Sequence, residues 1–266
     1  MSFKTIEKGT LTYLAADTIP VPHAFTTRLG GVSRDHLASL NLAFGHGDTM
    51  ENVETNLRIL TSALGIREEK LVLTRQTHSD IVRRVSTADA VGLCHRDYPE
   101  CDALVTNDPG TALLVFTADC TPILLWDSET GAVGAAHAGW RGTAAGIAAK
   151  TVEAMVKNFG SRPENIHAAI GPNLAQCCFE TDADVPEAMY KALGKEAEAF
   201  IQRRGEKFHV DLKGLNRLWL NQAGVSCVDI SQACTACRQD LFWSHRATRG
   251  VRGSQGAMIL CKEGRV

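Results

Sequence analysis

Residues 111–138 read TALLVFTADCTPILLWDSETGAVGAAHA, in which three apolar runs are separated by short polar segments. The runs Thr111–Thr117, Pro122–Asp127 and Ala132–Ala136 are too short for helices and are bounded by turn residues, so they predict buried strands. Cys120 lies between the first two runs, and His137 directly follows the third. Because loops and strand ends commonly present reactive side chains, this stretch predicts both a sheet and a site at its edge.

Further elements extend this pattern along the chain. Strands are also predicted at Ala24–Thr27, Lys70–Thr74, Ile81–Val85, Ala103–Thr106, Ile166–Ile170, Val225–Ile230 and Ala257–Leu260. Helical spacing predicts helices at Glu51–Leu64, Gly142–Phe159, Val185–Leu193 and Leu212–Ala223. No glycine-rich turn joins a first strand to a first helix, which excludes the usual dinucleotide fingerprint and the P-loop. This order favours a mixed-sheet α+β or layered α/β fold, and we expect a single domain over residues 1–266.

The composition is that of an average soluble globular protein. Of 266 residues, 44% are apolar and 22% are charged, and the net charge is −2. This balance excludes a disordered chain and a coiled coil, and it offers no basic surface for nucleic acid or an anionic membrane. The apolar runs are far shorter than the about 20 residues of a membrane span, and the N-terminal segment lacks a signal-peptide core. With nine scattered cysteines, we expect a cytoplasmic protein with reduced thiols.

Three residues at predicted strand ends are the candidates for chemistry. His78 lies in LTRQTHSD, Cys120 in FTADCTP and His137 in AAHAGWRG. Two imidazoles and a thiol could bind zinc with one position open, or the thiol could be a nucleophile with a histidine as base. The spacing of the three residues matches no short zinc-ligand motif, so both interpretations stay open. Asp102 and Asp119 adjoin predicted strands and could orient a histidine or cap a turn.

Four further cysteines stand in two short motifs. Cys234 and Cys237 have the CxxC spacing, and Cys177 and Cys178 are adjacent. A structural zinc site needs a second CxxC pair, which the sequence lacks, and neighbouring cysteines do not easily form a disulfide. We therefore interpret both motifs as structural thiols.

Arginines beside glycines are the candidates for binding a phosphate or carboxylate. Arg28 in TTRLGGVS and Arg141 in HAGWRG lie where glycines let the backbone approach a ligand closely. The alternative for each is an ordinary surface or helix-end arginine. The segment SHRATRGVRG, which contains Arg246, Arg249 and Arg252, predicts either a phosphate-binding loop or a solvated basic turn.

Several motifs occur in a fixed order along the chain. They are HAFTTRLGGVS, RQTHS, CDALVT, FTADCTPILLWD, AAHAGWRGT, CFE and FWSHR. Together they resemble the bacterial YfiH family, also called the laccase-domain, polyphenol-oxidase or peptidoglycan-editing-factor family. The resemblance runs from Ala24 to Leu260, and TADC and AHAGWRG are its most specific motifs.

The resemblance implies a layered α/β/β/α sandwich with a shallow site and a zinc ion held by His78, Cys120 and His137, which are also the catalytic residues. The implied activity is phosphorolysis of adenosine, inosine or methylthioadenosine to the base and ribose 1-phosphate, with adenosine deamination at the same site. The substrate-binding candidates are Arg28, Arg58, Asp102, Asp119 and Arg141. The expected partners are small molecules, with no nucleic acid and no membrane, and a homodimer is left open.

The chain departs from the family pattern at three places, one of which is Cys101, where a small residue is more usual. Relatives often have Asn-Arg where this chain reads Asn56-Leu57-Arg58, so a phosphate contact at this position depends on Arg58. Relatives often have SYRRDG where this chain reads SHRATRG, with His245 in place of the tyrosine. These departures bear on substrate preference rather than on membership.

Two alternative functions use the same residues. A multicopper oxidase needs many closely paired imidazoles, whereas this chain has nine histidines and no His-x-His, so copper is the less favoured metal. A hydrolase or amidase acting on peptidoglycan precursors would use Cys120 as the nucleophile with His78 or His137 as the base. Chelation discriminates between these mechanisms, because removing metal abolishes a zinc-dependent reaction and spares a thiol hydrolase.

Overall fold

The computed structural model describes residues 3–93 and 98–262, so Cys94 lies outside the described residues. The strands are β1 Phe3–Lys8, β2 Leu11–Ala16, β3 His23–Thr26, β4 Leu71–Leu73, β5 Val82–Arg84, β6 Ala103–Thr106, β7 Ala112–Thr117, β8 Thr121–Asp127, β9 Val133–Ala138, β10 Ile166–Ile170, β11 Glu180–Thr181, β12 Ile201–Arg204, β13 Lys207–Val210, β14 Cys227–Ile230 and β15 Gln255–Leu260. The helices are α1 Met50–Leu64, α2 Trp140–Ala144, α3 Ile147–Phe159, α4 Asp184–Leu193 and α5 Leu212–Gln222. No helix within the described ranges combines the length and the apolar character needed to cross a membrane.

Two six-stranded sheets and one small sheet organise these strands. The first sheet has the order β1-β2-β3-β15-β7-β4, the second β14-β10-β8-β9-β6-β5, and the small sheet β11-β13-β12. Most neighbours run antiparallel, but β4 pairs with β7, β5 with β6 and β10 with β14 in parallel. Both large sheets are therefore mixed, as the sequence predicted.

The two large sheets pack face to face, with helices on their outer faces. Phe25 and Leu113 of the first sheet share one buried cluster with Leu124 of the second sheet. Leu57 of α1 packs on the outside of the first sheet, and Val152 of α3 packs on the outside of the second. Each large apolar side chain that is fully buried contributes about 1.5–3 kcal/mol. This order of helix, sheet, sheet and helix confirms the predicted α/β/β/α layers.

Some elements differ from the sequence prediction. The predicted helix 142–159 is two helices, because Gly146 adopts a left-handed conformation with φ of 75° between them. Strand β9 continues past the predicted Ala136 to Ala138, so His137 lies within the strand. Strands β1 and β12 were missed because charged side chains occupy much of their length and hide the apolar alternation. Strands β2, β11 and β13 were missed as well.

Candidate metal and substrate site

Connections between the two large sheets carry two of the candidate residues. The chain passes from β4 to β5 through the segment that contains His78, and from β7 to β8 through the segment that contains Cys120. His137 lies in β9, where its Cα partner on the neighbouring strand β8 is Pro122. The fold thus brings together three residues that are distant in the sequence.

These three side chains form a compact group, here named the His–Cys–His cluster. Their ligand atoms all lie within 4.8 Å of one another, and Sγ of Cys120 is 3.8 Å from Nε2 of His78. The imidazole rings of His78 and His137 stand edge to face with their centroids 5.1 Å apart. Two imidazoles and a thiolate are ligands that zinc accepts, and three protein ligands leave a fourth position open.

Asp102 lies buried behind the cluster and holds two of its members. One carboxylate oxygen accepts the Nδ1–H of His137 at 2.8 Å and the backbone N–H of His78 at 3.1 Å. The other oxygen accepts the backbone N–H and the hydroxyl of Ser79, both at 2.7 Å. Burial opposes ionisation of Asp102, but hydrogen bonds from His137 and Ser79 outweigh it and lower its pKa to about 2. Because Nδ1 of His137 is engaged, Nε2 is left for Cys120 or a metal ion.

Cys120 and His137 change each other's ionisation. Burial disfavours the thiolate, but the positive charge of His137 and hydrogen bonds from His137 and His78 lower the pKa of Cys120 to about 6. Burial likewise disfavours the charged imidazole, yet the Cys120 thiolate and the Asp102 carboxylate raise the pKa of His137. Since the thiolate is both the metal-binding and the nucleophilic form, this arrangement suits either role of Cys120.

The backbone around the cluster is closely fitted. His78 and Asp119 have φ values of 59° and 84°, a region that residues other than glycine seldom occupy. At Gly139, just after β9, a Cβ atom would lie 3.0 Å from Cδ2 of His78 and 3.2 Å from Sγ of Cys120. Strained conformations of this kind cluster at functional sites, where the surrounding structure maintains them.

A cavity of about 670 Å³ adjoins the His–Cys–His cluster, whose three residues form part of its wall. This volume lies within the usual range for small-molecule sites. The apolar part of the wall includes Phe44, Leu73, Tyr98, Phe116, Leu174 and Phe179. The polar part includes His46, Arg75, Gln76, Asp119, His245, Arg246 and Arg252. The cavity can therefore hold a flat ring against its apolar wall and an anionic group near its arginines.

Arg246 and Arg252 bring cationic groups to this wall. The carboxylate of Asp119 accepts the backbone N–H of Arg246 at 2.6 Å and thereby fixes that residue. Arg252 donates through Nη1 to the hydroxyl of Ser254 at 2.6 Å, while its Nε is buried without a hydrogen-bond partner among the described residues. Burial lowers the pKa of Arg252, although the charges of Cys120 and Asp119 oppose this effect. Both guanidinium groups give the wall donors that suit an anionic ligand.

Three arginines named from the sequence lie outside the described lining of the cavity. Arg28 donates to backbone carbonyl groups and covers the ring of Trp243 at 3.8 Å. Arg58 forms ion pairs with two glutamates at 3.1 Å and 3.3 Å. Arg141 covers the ring of Trp140 at 4.2 Å. Their contacts are those of structural and surface arginines.

Sequence reasoning overlooked much of the wall, including two of its charged or titratable residues, and left the role of the basic C-terminal segment open. Arg75 lies in the same LTRQTHSD motif as His78, and His46 lies in the loop GHGD, whose two glycines were the available signal. In the basic segment near the C-terminus, Arg246 and Arg252 line the cavity, whereas Arg249 is not part of its described lining. The prediction of a binding loop therefore suits Arg246 and Arg252, and the prediction of a basic turn suits Arg249.

The fold and the site define a class: layered α+β proteins with a His–Cys–His cluster in the wall of a small-molecule cavity. Residues 22–262 match the family model described as multi-copper polyphenol oxidoreductase laccase. The crystal structure of YlmD from Geobacillus stearothermophilus is similar with a TM-score of 0.91 and 34% identity, covering 98% of this chain and 99% of that chain.

Curated relatives agree with this match. The chain is 42% identical over 249 residues to a Deinococcus radiodurans protein named purine nucleoside phosphorylase, covering 94% of this chain and 92% of that protein. It is 37% identical to a protein from an unknown prokaryotic organism named adenosine deaminase RL5, covering 87% and 90%. The chain therefore belongs to the YfiH, or laccase-domain, family.

Proposed function

We propose that this protein is a purine nucleoside phosphorylase that uses a zinc ion bound by His78, Cys120 and His137. The observation that carries the proposal is a single cavity in which the His–Cys–His cluster, an apolar wall and three arginines meet. In this reaction the N-glycosidic bond breaks and a bond forms between C1′ of the ribose and a phosphate oxygen. The name of the 42% identical relative supports the same activity here.

The charges that develop in the reaction suggest a role for each part of the wall. Positive charge builds on the ribose and negative charge on the leaving base, so the site must stabilise both and exclude water. Phe116 and Phe179 offer rings against which a purine can pack. Arg252 and Arg246 offer their guanidinium groups to the phosphate. We assign the phosphate to these two arginines rather than to Arg28, Arg58 or Arg141.

The two predicted aspartates take positioning roles in this proposal. Asp102 fixes the ring of His137 and the turn that bears His78. Asp119 uses its carboxylate oxygens on the hydroxyl of Thr235 and the backbone N–H of Arg246, both at 2.6 Å. Both carboxylates are therefore engaged within the protein, and they shape the site instead of binding substrate.

The donor set of the His–Cys–His cluster fits zinc, and the depressed pKa of Cys120 supplies the thiolate that a metal requires. When bound, zinc supplies a Lewis acid that can polarise a substrate oxygen or lower the pKa of a bound water to about 7. Copper(II) binds such ligands more tightly than zinc does, so the identity of the metal is part of what must be measured.

The test combines metal analysis with product analysis. Purified protein is assayed for zinc and copper, and adenosine is followed by chromatography with and without phosphate. We expect bound zinc and adenine release that requires phosphate, and Cys120→Ala should lose this release together with the zinc ion of the His–Cys–His cluster. The matched control is Cys227→Ala on strand β14, which should keep zinc and activity. Unchanged adenosine in the presence of bound zinc would refute the proposal.

Adenosine deamination is the second candidate, because one relative is named adenosine deaminase. It replaces the 6-amino group of adenosine with oxygen from water, so inosine would form at the same rate without phosphate. A cysteine hydrolase is distinguished by chelation, which would leave its activity intact. The cytoplasmic location, the domain extent 1–266 and the homodimer stay predictions.

A further inference from the structure

The two cysteine motifs that the sequence kept apart meet in space. We name Cys177, Cys178, Cys234 and Cys237 the four-cysteine cluster, because their sulfur atoms all lie within 4.8 Å of one another. The Sγ atom of Cys177 is 3.7 Å from that of Cys178 and 3.7 Å from that of Cys237, and Cys178 and Cys237 are 3.4 Å apart. In a zinc site with Zn–S distances of about 2.3 Å, the edges of the sulfur tetrahedron measure about 3.8 Å. The three distances among Cys177, Cys178 and Cys237 are close to this value, and Cys234 lies within 4.8 Å of each of them.

The surroundings of the cluster also suit a metal–thiolate centre. The buried side chain of Lys213 donates to the carbonyls of Ser231 and Ala233 at 2.6 Å and 2.8 Å. Its ammonium group interacts electrostatically with Cys177 and Cys234. The positive charge of Lys213 would offset the net negative charge of a zinc ion bound by four thiolates.

We propose that Cys177, Cys178, Cys234 and Cys237 bind a second zinc ion, which is structural and separate from the ion at the His–Cys–His cluster. Binding converts four thiols to thiolates, forms four Zn–S bonds and releases four protons to solvent, with no change in oxidation state. Four protein ligands complete the tetrahedron, so this ion has no open position for a substrate. The site needs no second CxxC motif, because the adjacent cysteine pair supplies the other two ligands.

The position of the cluster explains what such an ion would do. One cysteine pair lies between Leu174 and Phe179, which both line the cavity. The other pair precedes His245 and Arg246, which also line the cavity. The two segments already contact each other through the β-bridge between Asn173 and Cys234 and through hydrogen bonds from Arg246 to the carbonyl groups of Cys178 and Glu180. A zinc ion would clamp the two segments together and so hold one wall of the cavity.

A carboxylate links this clamp to the His–Cys–His cluster. Asp119, next to Cys120, accepts the hydroxyl of Thr235 at 2.6 Å and the backbone N–H of Arg246 at 2.6 Å. Thr235 is the residue that follows Cys234 in the CxxC loop. Displacement of that loop would therefore move Asp119, and through Asp119 it would move Arg246.

The experiment counts zinc in matched variants by elemental analysis of protein purified under reducing conditions. We expect two zinc ions per chain in the wild type and in Cys227→Ser, and one in Cys234→Ser/Cys237→Ser. We also expect one in His78→Ala/Cys120→Ala, where only the four-cysteine cluster remains. Cobalt substituted into that last variant should give the intense visible bands of tetrahedral thiolate coordination.

Other outcomes would overturn the proposal. Loss of all zinc in His78→Ala/Cys120→Ala would show that the four-cysteine cluster binds none, as would a disulfide among the four residues in native protein. If the cysteine variants fail to fold, crystals of the wild type measured at the zinc absorption edge still decide, since one anomalous peak instead of two refutes the second site. Failure of the phosphorylase proposal is separate, because it appears in nucleoside turnover and not in this count.

Discussion

The His–Cys–His cluster and the four-cysteine cluster are similar in ligand chemistry and different in surroundings. The three residues of the first form part of the wall of a cavity of about 670 Å³, so an ion there keeps one position for water or substrate. The four residues of the second come from two loops and can fill every position of a tetrahedral ion. The number of protein ligands, more than their type, therefore distinguishes a catalytic metal site from a structural one.

The largest effect is expected when a ligand is removed from the His–Cys–His cluster. Cys120→Ala should lower phosphorolysis by more than about a hundredfold, since even residues that only support a metal ligand cost about 10–100-fold when mutated. The melting temperature should change little, because the side chain lies in the cavity wall. Steady-state kinetics and thermal unfolding measured on the same preparation check both statements. A large fall in melting temperature alongside the loss of activity would contradict the assignment of Cys120 to the reaction.

The next largest effect is expected behind the same cluster. Asp102→Asn should lower metal affinity by about 10–100-fold, because a neutral amide has one acceptor oxygen and cannot accept from both the Nδ1–H of His137 and the donors of Ser79. A competition titration with a chromogenic chelator measures this change, and Asp108→Asn serves as a control aspartate with its own hydrogen bonds to Thr87 and Thr111. Unchanged affinity in Asp102→Asn would argue against a positioning role.

Asp102 also gives this site a pH signature in the metal-free protein. Its folded-state pKa of about 2 is below the unfolded value of about 3.9. The stabilisation is therefore fully present above about pH 5 and lost as the pH falls towards 2. The free energy of unfolding should fall more steeply over this window in the wild type than in Asp102→Asn. Parallel curves in acid titrations of denaturant midpoints would contradict this.

A smaller effect sharpens the division of labour within the cavity. Arg252→Met should raise the KM for phosphate roughly tenfold or more, as expected for a lost charge-assisted hydrogen bond of about 1.5–3 kcal/mol. Inosine formation without phosphate, where present, should be unaffected. Arg58→Met on the surface of α1 is the matched control and should leave the KM for phosphate unchanged. Equal KM values for both variants would remove Arg252 from the phosphate site.

The smallest effect on turnover is expected at the four-cysteine cluster. Cys237→Ser should lower the melting temperature by several degrees, at about 2–4 °C per kcal/mol for a chain of roughly this size. Turnover at low temperature should stay within a few-fold of wild type, because none of the four cysteines lines the cavity among the described residues. A chelator should destabilise the wild type more than Cys237→Ser in thermal unfolding. The reverse pattern, lost turnover with unchanged melting, would merge the two clusters into one functional unit.

Local patterns predicted much of the fold. Strand Ile166–Ile170 and the end of α1 at Gly65 follow from apolar spacing and a glycine cap, which are properties of neighbouring residues. The break at Gly146 was not predicted, because the surrounding alanines continue the helical pattern on both sides. Strands such as β12 gain their stability from pairing within a small sheet, and nothing local in the sequence IQRR announces a partner.

The site was less accessible to sequence reasoning than the fold. His78, Cys120 and His137 could be named as reactive types, but their convergence came from the family resemblance, since crossovers between sheets bring them together. The same limit hid the four-cysteine cluster, whose two halves are far apart along the chain. Arg252 was named without a decision between binding and solvation, because its burial depends on long-range packing.

Gly139 provides a way to separate shape from composition at the His–Cys–His cluster. Its backbone angles, φ of −67° and ψ of 174°, are open to alanine, yet a methyl group there would sit 3.0 Å from one ligand ring and 3.2 Å from the ligand sulfur. A single added carbon would thus displace the side chains of His78 and Cys120, although all three ligand residues are retained. The activity of Gly139→Ala would therefore measure how far the ligands can shift, by a few tenths of an ångström, before the reaction is lost.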